Sequence, residues 1–378
     1  MGLGDQTPDG TANVFDADDV LFGKLRPYLA KAVRPGFGGI CSTEFLVLRA
    51  VEFTPEFLRY VLLSDEFVSA VDSSTYGAKM PRANWEFIGN VRVLVPPRNE
   101  QVSITAYLDR ETARVDELIS KQELLIERLG EYRVALITRT VTRGLPPDAA
   151  EAAGLDPAPP LKDSGVEWLG KVPEHWDVVE NRRLFDERDE RSDDGDGELL
   201  TVSHLTGVTR RSEKPDVGMF MAETLEGYKR CLRGDLVINT MWAWMGAAGT
   251  ASEAGLVSPS YNVYVPDSQF VLPEFLDMAY RSRRYVVGMT SESRGIWSSR
   301  LRLYPQHFLS LVTVVPPMNE QQAIVAYVAD IEDRVKRMAS AVRDAIERLG
   351  EYRMALVSAA VTGKIDVRRS AVDSRGGV

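Results

Sequence analysis

Two stretches of the chain concentrate side chains able to bond the edges of bases. Ser73–Asn84 (SSTYGAKMPRAN) carries Lys79, Arg82 and Asn84 among hydroxyls, and Ser291–Arg302 (SESRGIWSSRLR) carries Arg294, Trp297, Arg300 and Arg302. Arginine, lysine and asparagine are the residue types that read base edges in a duplex major groove and grip phosphates. Gly77, Pro81 and Gly295 mark both stretches as loops able to approach a duplex closely. Lys24, Arg26, Lys31 and Arg34 add cations ahead of the first loop, and Arg210, Arg211 and Lys214 ahead of the second. Any one of these is more commonly a solvated surface charge. The same chemistry at two related positions sets them apart. Trp297, in a polar loop, reads as a contact residue, whereas Trp242 and Trp244 stand beside apolar runs and read as core. The acidic run Asp186–Asp196 reads as a mobile, solvated loop that repels phosphate.

Other chemistries lack their residues. An amino-directed DNA methyltransferase needs a polar residue, two prolines and an aromatic; Val95-Pro96-Pro97-Arg98 and Val315-Pro316-Pro317-Met318 have neither the first nor the last. No GxxxxGK[ST] loop cradles a nucleotide, and Gly36-Phe37-Gly38-Gly39 has the wrong spacing for a dinucleotide. Cys41 and Cys231, and His175, His204 and His307, are too scattered for a disulfide framework or a zinc site, so both cysteines are expected as buried small apolar residues. A net charge of −10 argues against a chain that wraps nucleic acid unaided, but permits local basic faces and partners that share the electrostatic load. No apolar run reaches the roughly 18 residues that span a bilayer, and the start, with Asp5 and Asp9, is no secretory signal, so a cytoplasmic location is expected.

The elements that must position these loops come in two copies. IERLGEYR occurs at Ile126–Arg133 and again at Ile346–Arg353, an offset of 348 − 128 = 220 that also pairs Val95-Pro96-Pro97 with Val315-Pro316-Pro317 and Asn99-Glu100-Gln101 with Asn319-Glu320-Gln321. Upstream the match weakens but persists, Pro55-Glu56-Phe57-Leu58 answering Pro273-Glu274-Phe275-Leu276 and the apolar run after Asp19 answering that after Asp235. A period this long describes a domain plus a helix, not a solenoid rung.

After each Pro-Pro pair the apolar residues fall at helical spacing: Ile104, Leu108, Val115, Leu118, Leu125, Leu129, Tyr132 and Leu136, then Ile324, Val328, Ile331, Val335, Met338, Val342, Leu349, Tyr352 and Leu356. Pro97 and Pro317 preset the helix starts, Asn99 and Asn319 are the expected N-caps, and Gly144 and Gly363 follow the last turns. Helices of about 40 residues would run roughly 60 Å at ~1.5 Å per residue. Neither seam can be buried alone, which predicts that the two pair as an antiparallel coiled coil; the alternative is that each packs on its own domain. Gly130 and Gly350 lie mid-helix, and close helix–helix approach would account for them.

With these residues in view the chain resembles the type I restriction-modification specificity (S) subunits. The resemblance rests on Val20–Leu29, Ile40–Leu48, the Asp163-Ser164-Gly165-Val166-Glu167-Trp168-Leu169-Gly170 opening with Val172-Pro173-Glu174-His175-Trp176, and Pro316-Pro317-Met318-Asn319-Glu320-Gln321. It implies two target-recognition domains, each reading half of a bipartite double-stranded DNA site, held apart by helices that act as a ruler. It further implies a chain that is no enzyme and binds no cofactor itself, with two methylation subunits using S-adenosylmethionine and restriction/motor subunits using ATP and Mg2+ as partners. The second repeat has about 70 residues before Arg233-Gly234-Asp235, whereas only Met1–Ala17 precede Asp18-Asp19, so the first recognition domain is expected to be N-terminally shortened. A displaced start, a truncated gene and strands supplied elsewhere all remain open.

The expected fold is α+β (mixed α/β): a first recognition domain at 1–97, a spacer helix at 98–145, a linker at 146–160, a second recognition domain at 161–317, a second spacer helix at 318–366 and a tail at 367–378. Strands are expected at Asp19–Lys24, Glu44–Arg49 and Val91–Val95, with a helix at Pro55–Val71. The alternative function is an assembly scaffold, or a half-site reader that self-dimerises because its first domain is incomplete.

Overall fold

The computed structural model describes residues 11–75, 81–214, 224–296 and 301–367. It divides into two compact units, Met1–Ile126 with Ser340–Val378, and Glu127–Ala339. Unit 1 contains β1 (Ala12–Phe15), β2 (Val20–Gly23), β3 (Ala32–Val33), β4 (Gly39–Ser42), β5 (Phe45–Leu48), α1 (Pro55–Leu63), α2 (Asp65–Ser73), α3 (Trp85–Ile88) and the first part of α4 (Arg98–Arg143). Its strands form an antiparallel β3-β2-β5 sheet and a β1-β4 pair. The alternation is short because β2 is buried on both faces: Val20, Leu21 and Phe22 are all in the core.

Unit 2 begins with the end of α4 and α5 (Pro147–Ala152), then β6 (Leu161–Asp163), β7 (Lys171–Pro173), β8 (Asp177–Glu180), β9 (Phe185–Arg188), β10 (Leu200–Ser203) and β11 (Gly207–Arg210). It continues with β12 (Lys229–Cys231), β13 (Leu236–Asn239), β14 (Ala248–Thr250), β15 (Gly255–Val257), β16 (Tyr261–Pro266), α6 (Pro273–Arg281), α7 (Arg283–Glu292), α8 (Pro305–Ser310), β17 (Val312–Val315) and the first part of α9 (Met318–Val361). The central sheet runs β14-β13-β16-β9, flanked by β12-β15, β10-β11 and β8-β17 pairs. The repeat is now exact in register: β13 answers β2 at an offset of 236 − 20 = 216, and the same offset carries Gly39 to Gly255 and Phe45 to Tyr261.

Several sequence expectations change. The single helix expected at Pro55–Val71 is two, broken at Ser64, whose extended backbone and hydroxyl bond to the Val61 carbonyl (2.7 Å) end the first helix. Ser282 breaks α6 from α7 at the matching place. At Ser64 the hydroxyl competes for a carbonyl of the helix before it and ends that helix. Val91–Val95 forms no strand, although its counterpart Val312–Val315 pairs with β8. The acidic run is not a free loop: Phe185–Arg188 is a strand, Arg188 pairs with Asp235 (2.8 Å), and Asp189 meets Lys229 (2.8 Å). Cys231 is buried as expected, but Cys41 is only half-buried on β4.

The long helices start where the prolines place them. Their first bonded N–H groups, at Glu100 and Gln101 and at Glu320 and Gln321, donate to the carbonyls of Pro97 and Pro317. The prolines thus occupy the cap position, and Asn99 and Asn319 lie within the first turn instead. Gln101 is buried and donates its amide to the carbonyls of Glu52 (3.1 Å) and Pro96 (2.9 Å) while accepting from Thr54 N–H (2.7 Å). Gln321 repeats this with Phe270 (2.7 Å), Pro316 (2.8 Å) and Leu272 (2.8 Å). Gly144 (φ +84°) and Gly363 (φ +72°) end the helices in the left-handed conformation that glycine adopts without penalty.

Within unit 1, Ile104 and Leu108 pack with Leu356, Val357 and Ala360, and Arg353 bonds Asp116 (2.8 Å). Within unit 2, Ile137 and Val141 share a core with Ile324 and Val328, and Arg133 pairs with Glu332. Early α4 faces late α9 in one unit and late α4 faces early α9 in the other, so the helices pair antiparallel. The same residues also pack on the domains, through Phe57 and Tyr60 in unit 1 and through Phe275 and Leu276 in unit 2. The seam is shorter than the sequence pattern: Leu118, Leu125, Tyr132, Met338 and Tyr352 are exposed. Beyond the turns that meet a domain, a helix pair covers one side of each partner and leaves the flanks in water.

A Cβ at Gly130 or Gly350 would meet nothing within 4 Å, so close approach does not explain these glycines. Alanine at either position is expected to stabilise the chain by about 1 kcal/mol, read as a higher denaturant midpoint; no gain in either variant would point to a role outside the helix pair. Gln101→Ala and Gln321→Ala each strand a buried N–H and two carbonyls, and each should lower unfolding free energy by about 2–3 kcal/mol; a change below about 0.5 kcal/mol would show that the clamp is dispensable.

Candidate nucleic-acid interface

Where β2 ends, backbone bonds tie two distant loops together. Lys24 N–H donates to the Glu44 carbonyl (2.8 Å), Ala83 N–H to the Lys24 carbonyl (3.0 Å) and Arg26 N–H to the Pro81 carbonyl (2.9 Å). Lys24, Arg26, Arg82 and Asn84 are thereby brought together. Arg26 (φ 52°) and Ala30 (φ 46°) are left-handed, a conformation that disfavours a side-chain-bearing residue by roughly 1–2 kcal/mol. They flank the one-turn helix Pro27–Leu29, and Arg26 is exposed. Such outliers persist where surrounding bonds impose them, and they cluster at functional sites.

Unit 2 repeats the central one of these bonds. Leu303 N–H bonds the Thr240 carbonyl (3.0 Å), and Arg294 and Arg302 exchange two backbone bonds (2.8 and 2.9 Å). Thr240 stands at the position of Lys24 and Trp242 at that of Arg26, since 242 − 26 = 216, and Gly246 (φ +87°) takes the left-handed place of Ala30. Trp242 is 49% exposed, which overturns the core expectation for it. The one-turn helix Ala243–Met245 buries Ala243 inward and so turns the preceding indole outward. Trp244 is half-buried, its ring N–H bonded to the Met241 carbonyl (3.0 Å). Sequence reading missed Trp242 as a surface residue, and the signal that finds it is its repeat equivalence to Arg26.

The expected cations differ in how free they are. Arg34 is held by Asp18 (2.7 Å) and Glu56 (3.0 Å). Arg82 meets Glu44 (3.1 Å), and that guanidinium, with Lys24 nearby, holds the Glu44 carboxyl below the usual range. Arg210 makes a two-pronged contact with Glu253 (2.6 and 2.5 Å). Arg211 bonds the Lys214 carbonyl (3.0 Å), and burial pushes the Lys214 ammonium pKa down. Arg294 lies 3.8 Å from Glu292. Asn84 spends its side-chain oxygen capping α3, accepting from Phe87 N–H (2.8 Å). Lys31 and Arg302 are exposed. Lys79, Trp297 and Arg300 lie outside the described residues. Arg210, Arg211 and Lys214 sit together at the end of β11 and the turn after it.

No protein-family model matches the chain. A 125-residue stretch is 21% identical to the type I restriction enzyme EcoDI specificity subunit of Escherichia coli, covering 33% of this chain and 28% of that protein. The crystal structure of the HsdS subunit from Thermoanaerobacter tengcongensis is similar over 95% of this chain and 84% of its own, at 20% identity and a TM-score of 0.52. A chain from a structure of complex assembly and conformational transition in the type I R-M system is similar over 95% and 85%, at 20% identity and a TM-score of 0.58. These likenesses show a common fold, tandem mixed α/β units joined by two long helices. No helix among the described residues is long and apolar enough to cross a membrane.

The Arg210–Glu253 contact has a measurable signature. The guanidinium holds the Glu253 carboxyl below its usual range, so this pair stabilises the fold above about pH 4.3 and ceases to as pH falls through the folded-state value. In Arg210→Met the Glu253 carboxyl should titrate higher in a carboxyl-resolved NMR titration, and an unmoved midpoint would mean that the two groups are not paired in solution.

Proposed function

We propose that this chain is the DNA-specificity subunit of a type I restriction-modification complex, a non-catalytic reader that directs methylation and cleavage by partner subunits to a bipartite site. The observation that carries the reading is the duplicated junction: in each unit the end of a central strand is tied by backbone bonds to the loop ahead of the Pro-Pro pair, and a buried glutamine fixes the long helix after it. Two equivalent loops on two equivalent scaffolds suit two half-sites. The similarity to a specificity subunit of Escherichia coli and to an HsdS fold supports the same reading.

In this reading Lys24 and Arg26 of unit 1, and Trp242, Arg294 and Arg302 of unit 2, face the duplex, with Lys79, Trp297 and Arg300 proposed for the same role. Arginine and lysine fix the register on phosphates or bond guanine, and Trp242 stacks or wedges. Arg34, Arg82 and Arg210, already paired with carboxylates, shape the surface. Two methylation subunits and the restriction/motor subunits supply S-adenosylmethionine, ATP and Mg2+ chemistry, and the antiparallel helices set the spacing of the half-sites. One reader that self-associates is the competing arrangement, favoured by the smaller sheet of unit 1 among the described residues.

The test is co-expression with the cognate methylation subunits, followed by mapping methylated adenines across host DNA. A bipartite motif is expected, with Arg26→Ala degrading one half and Trp242→Ala or Arg302→Ala the other. Each lost phosphate contact should also reduce the dependence of log affinity on log salt by about one unit. Assembly of the complex with no methylation would sink the reader in favour of a scaffold, and a palindromic motif would establish the self-associated half-site reader.

A further inference from the structure

Four arginines converge on one groove of unit 2. Arg139 and Arg143 stand one turn apart near the end of α4, so they leave the same face of the helix with Cβ atoms about 6 Å apart. Arg283 and Arg284 open the first turn of α7. All four line an open groove of about 740 Å³, with Thr138 on its α4 wall. The Arg283 N–H donates to the Thr138 hydroxyl (3.3 Å), which fixes the start of α7 against α4.

A guanidinium stays protonated at any pH a fold tolerates, so such a cluster keeps its charge unless carboxylates cancel it. Elsewhere in unit 2 they do: Arg188 meets Asp235 (2.8 Å), Arg210 meets Glu253 (2.5 Å) and Arg281 meets Asp277 (3.0 Å). In the groove, no carboxylate among the described residues lies within 4.0 Å of any of the four. Glu131, the acid of the lining, already pairs with Arg128 (2.7 Å). Arg284 is held by the carbonyls of Leu169 (2.6 Å) and Trp168 (3.2 Å), which orient its fork without cancelling its charge. Arg139, Arg143 and Arg283 are exposed. Ser282, at the N-cap of α7, makes no side-chain bond to the helix, so the partial positive charge of that helix end adds to the cluster. In a chain of net charge −10, this is a local positive potential set against the overall sign.

The lining also narrows the kind of anion. Arginine forks match the oxygens of phosphoryl groups two at a time. No aromatic ring lines the groove to hold a base, and its apolar side chains are Val134 and Ala135. It therefore suits a run of phosphoryl groups rather than a nucleoside. Arg294 of the candidate reading loop lies beyond the far end of α7, whose 10 residues span about 15 Å.

We infer that this groove is a phosphate-binding site, distinct from the candidate reading loops, that grips consecutive phosphoryl groups through Arg139, Arg143, Arg283 and Arg284. Such groups come from the backbone of a duplex or from a free polyphosphate. The site goes beyond the DNA-reading proposal, because it needs no base contact and stands or falls whether or not the loops read sequence.

Inorganic tripolyphosphate is the probe, titrated into the full chain by calorimetry at low ionic strength, where screening is weak. One saturable site is expected, and Arg139→Gln/Arg143→Gln should weaken it about tenfold or more. Arg139→Lys, which keeps the charge and loses the fork, should weaken it by less. The Arg139 and Arg143 side chains are exposed and make no hydrogen bond or ion pair among the described residues, so an unchanged circular-dichroism spectrum is expected for these variants. Arg182→Gln, which removes an exposed arginine paired with Glu180 elsewhere in unit 2, should leave binding unchanged. A duplex of arbitrary sequence that displaces tripolyphosphate, and that the double variant binds more weakly, identifies the backbone as the source. Tripolyphosphate that stays bound beside the duplex identifies a free polyphosphate. No saturable binding up to about millimolar probe, or an equal loss in Arg182→Gln, would overturn the proposal. A glutamate-rich peptide that binds more tightly than tripolyphosphate, with the same dependence on Arg139 and Arg143, would overturn it in favour of an acidic protein segment.

Discussion

The buried glutamine at the start of each long helix is the contact on which the rest of the molecule depends. A carboxamide offers one acceptor and one two-proton donor, and Gln101 and Gln321 each use both ends: an N–H of the loop before the domain helix, and two carbonyls from opposite sides. Left unpaired in the core, each of those groups would cost about 1–3 kcal/mol. The bonds therefore fix the angle at which a helix leaves its domain. A helix of 46 or 44 residues magnifies any error at its first turn, so a rigid joint is what makes such a helix useful for positioning anything.

The rest of each unit is built outward from that joint. The prolines before the glutamine end the preceding segment, and the loop ahead of that segment is stitched to the end of the central strand by the Ala83–Lys24 and Leu303–Thr240 backbone bonds. The side chain at this stitched position differs between the units, Lys24 in one and Thr240 in the other. The backbone bonds do not depend on side-chain identity. One scaffold can therefore present different surface chemistry at the same place, which is the requirement for reading two different half-sites.

The units differ most where the chain of unit 2 adds β6 to β9. There Trp176 is buried, and the buried Asn181 bonds the Phe308 carbonyl of α8 (2.9 Å) and the Thr313 hydroxyl of β17 (2.7 Å). In unit 1 Leu94 is exposed where Val314 of unit 2 is buried, and Arg49 bonds Asp19 (3.1 Å). The aliphatic Leu48, Leu62 and Ile88 stand where unit 2 has three aromatic rings, and Leu62 and Ile88 are buried in the smaller core of unit 1.

By itself the sequence determined the duplication, the mixed α/β class, the two long helices and their antiparallel pairing, because these follow from identities at a constant offset and from apolar spacing that one helix cannot bury. It also determined which loops carry cations. The tertiary structure alone decided which cations are free, since Arg34, Arg82 and Arg210 meet carboxylates that are 16, 38 and 43 residues away in the chain. It decided that Ser64 and Ser282 break their helices, that Val91–Val95 forms no strand and that Trp242 points outward. The cations turn on carboxylates distant in sequence and Trp242 on the rotation of one short turn, and local composition carries no record of either; Ser64 acts through a bond only three residues back.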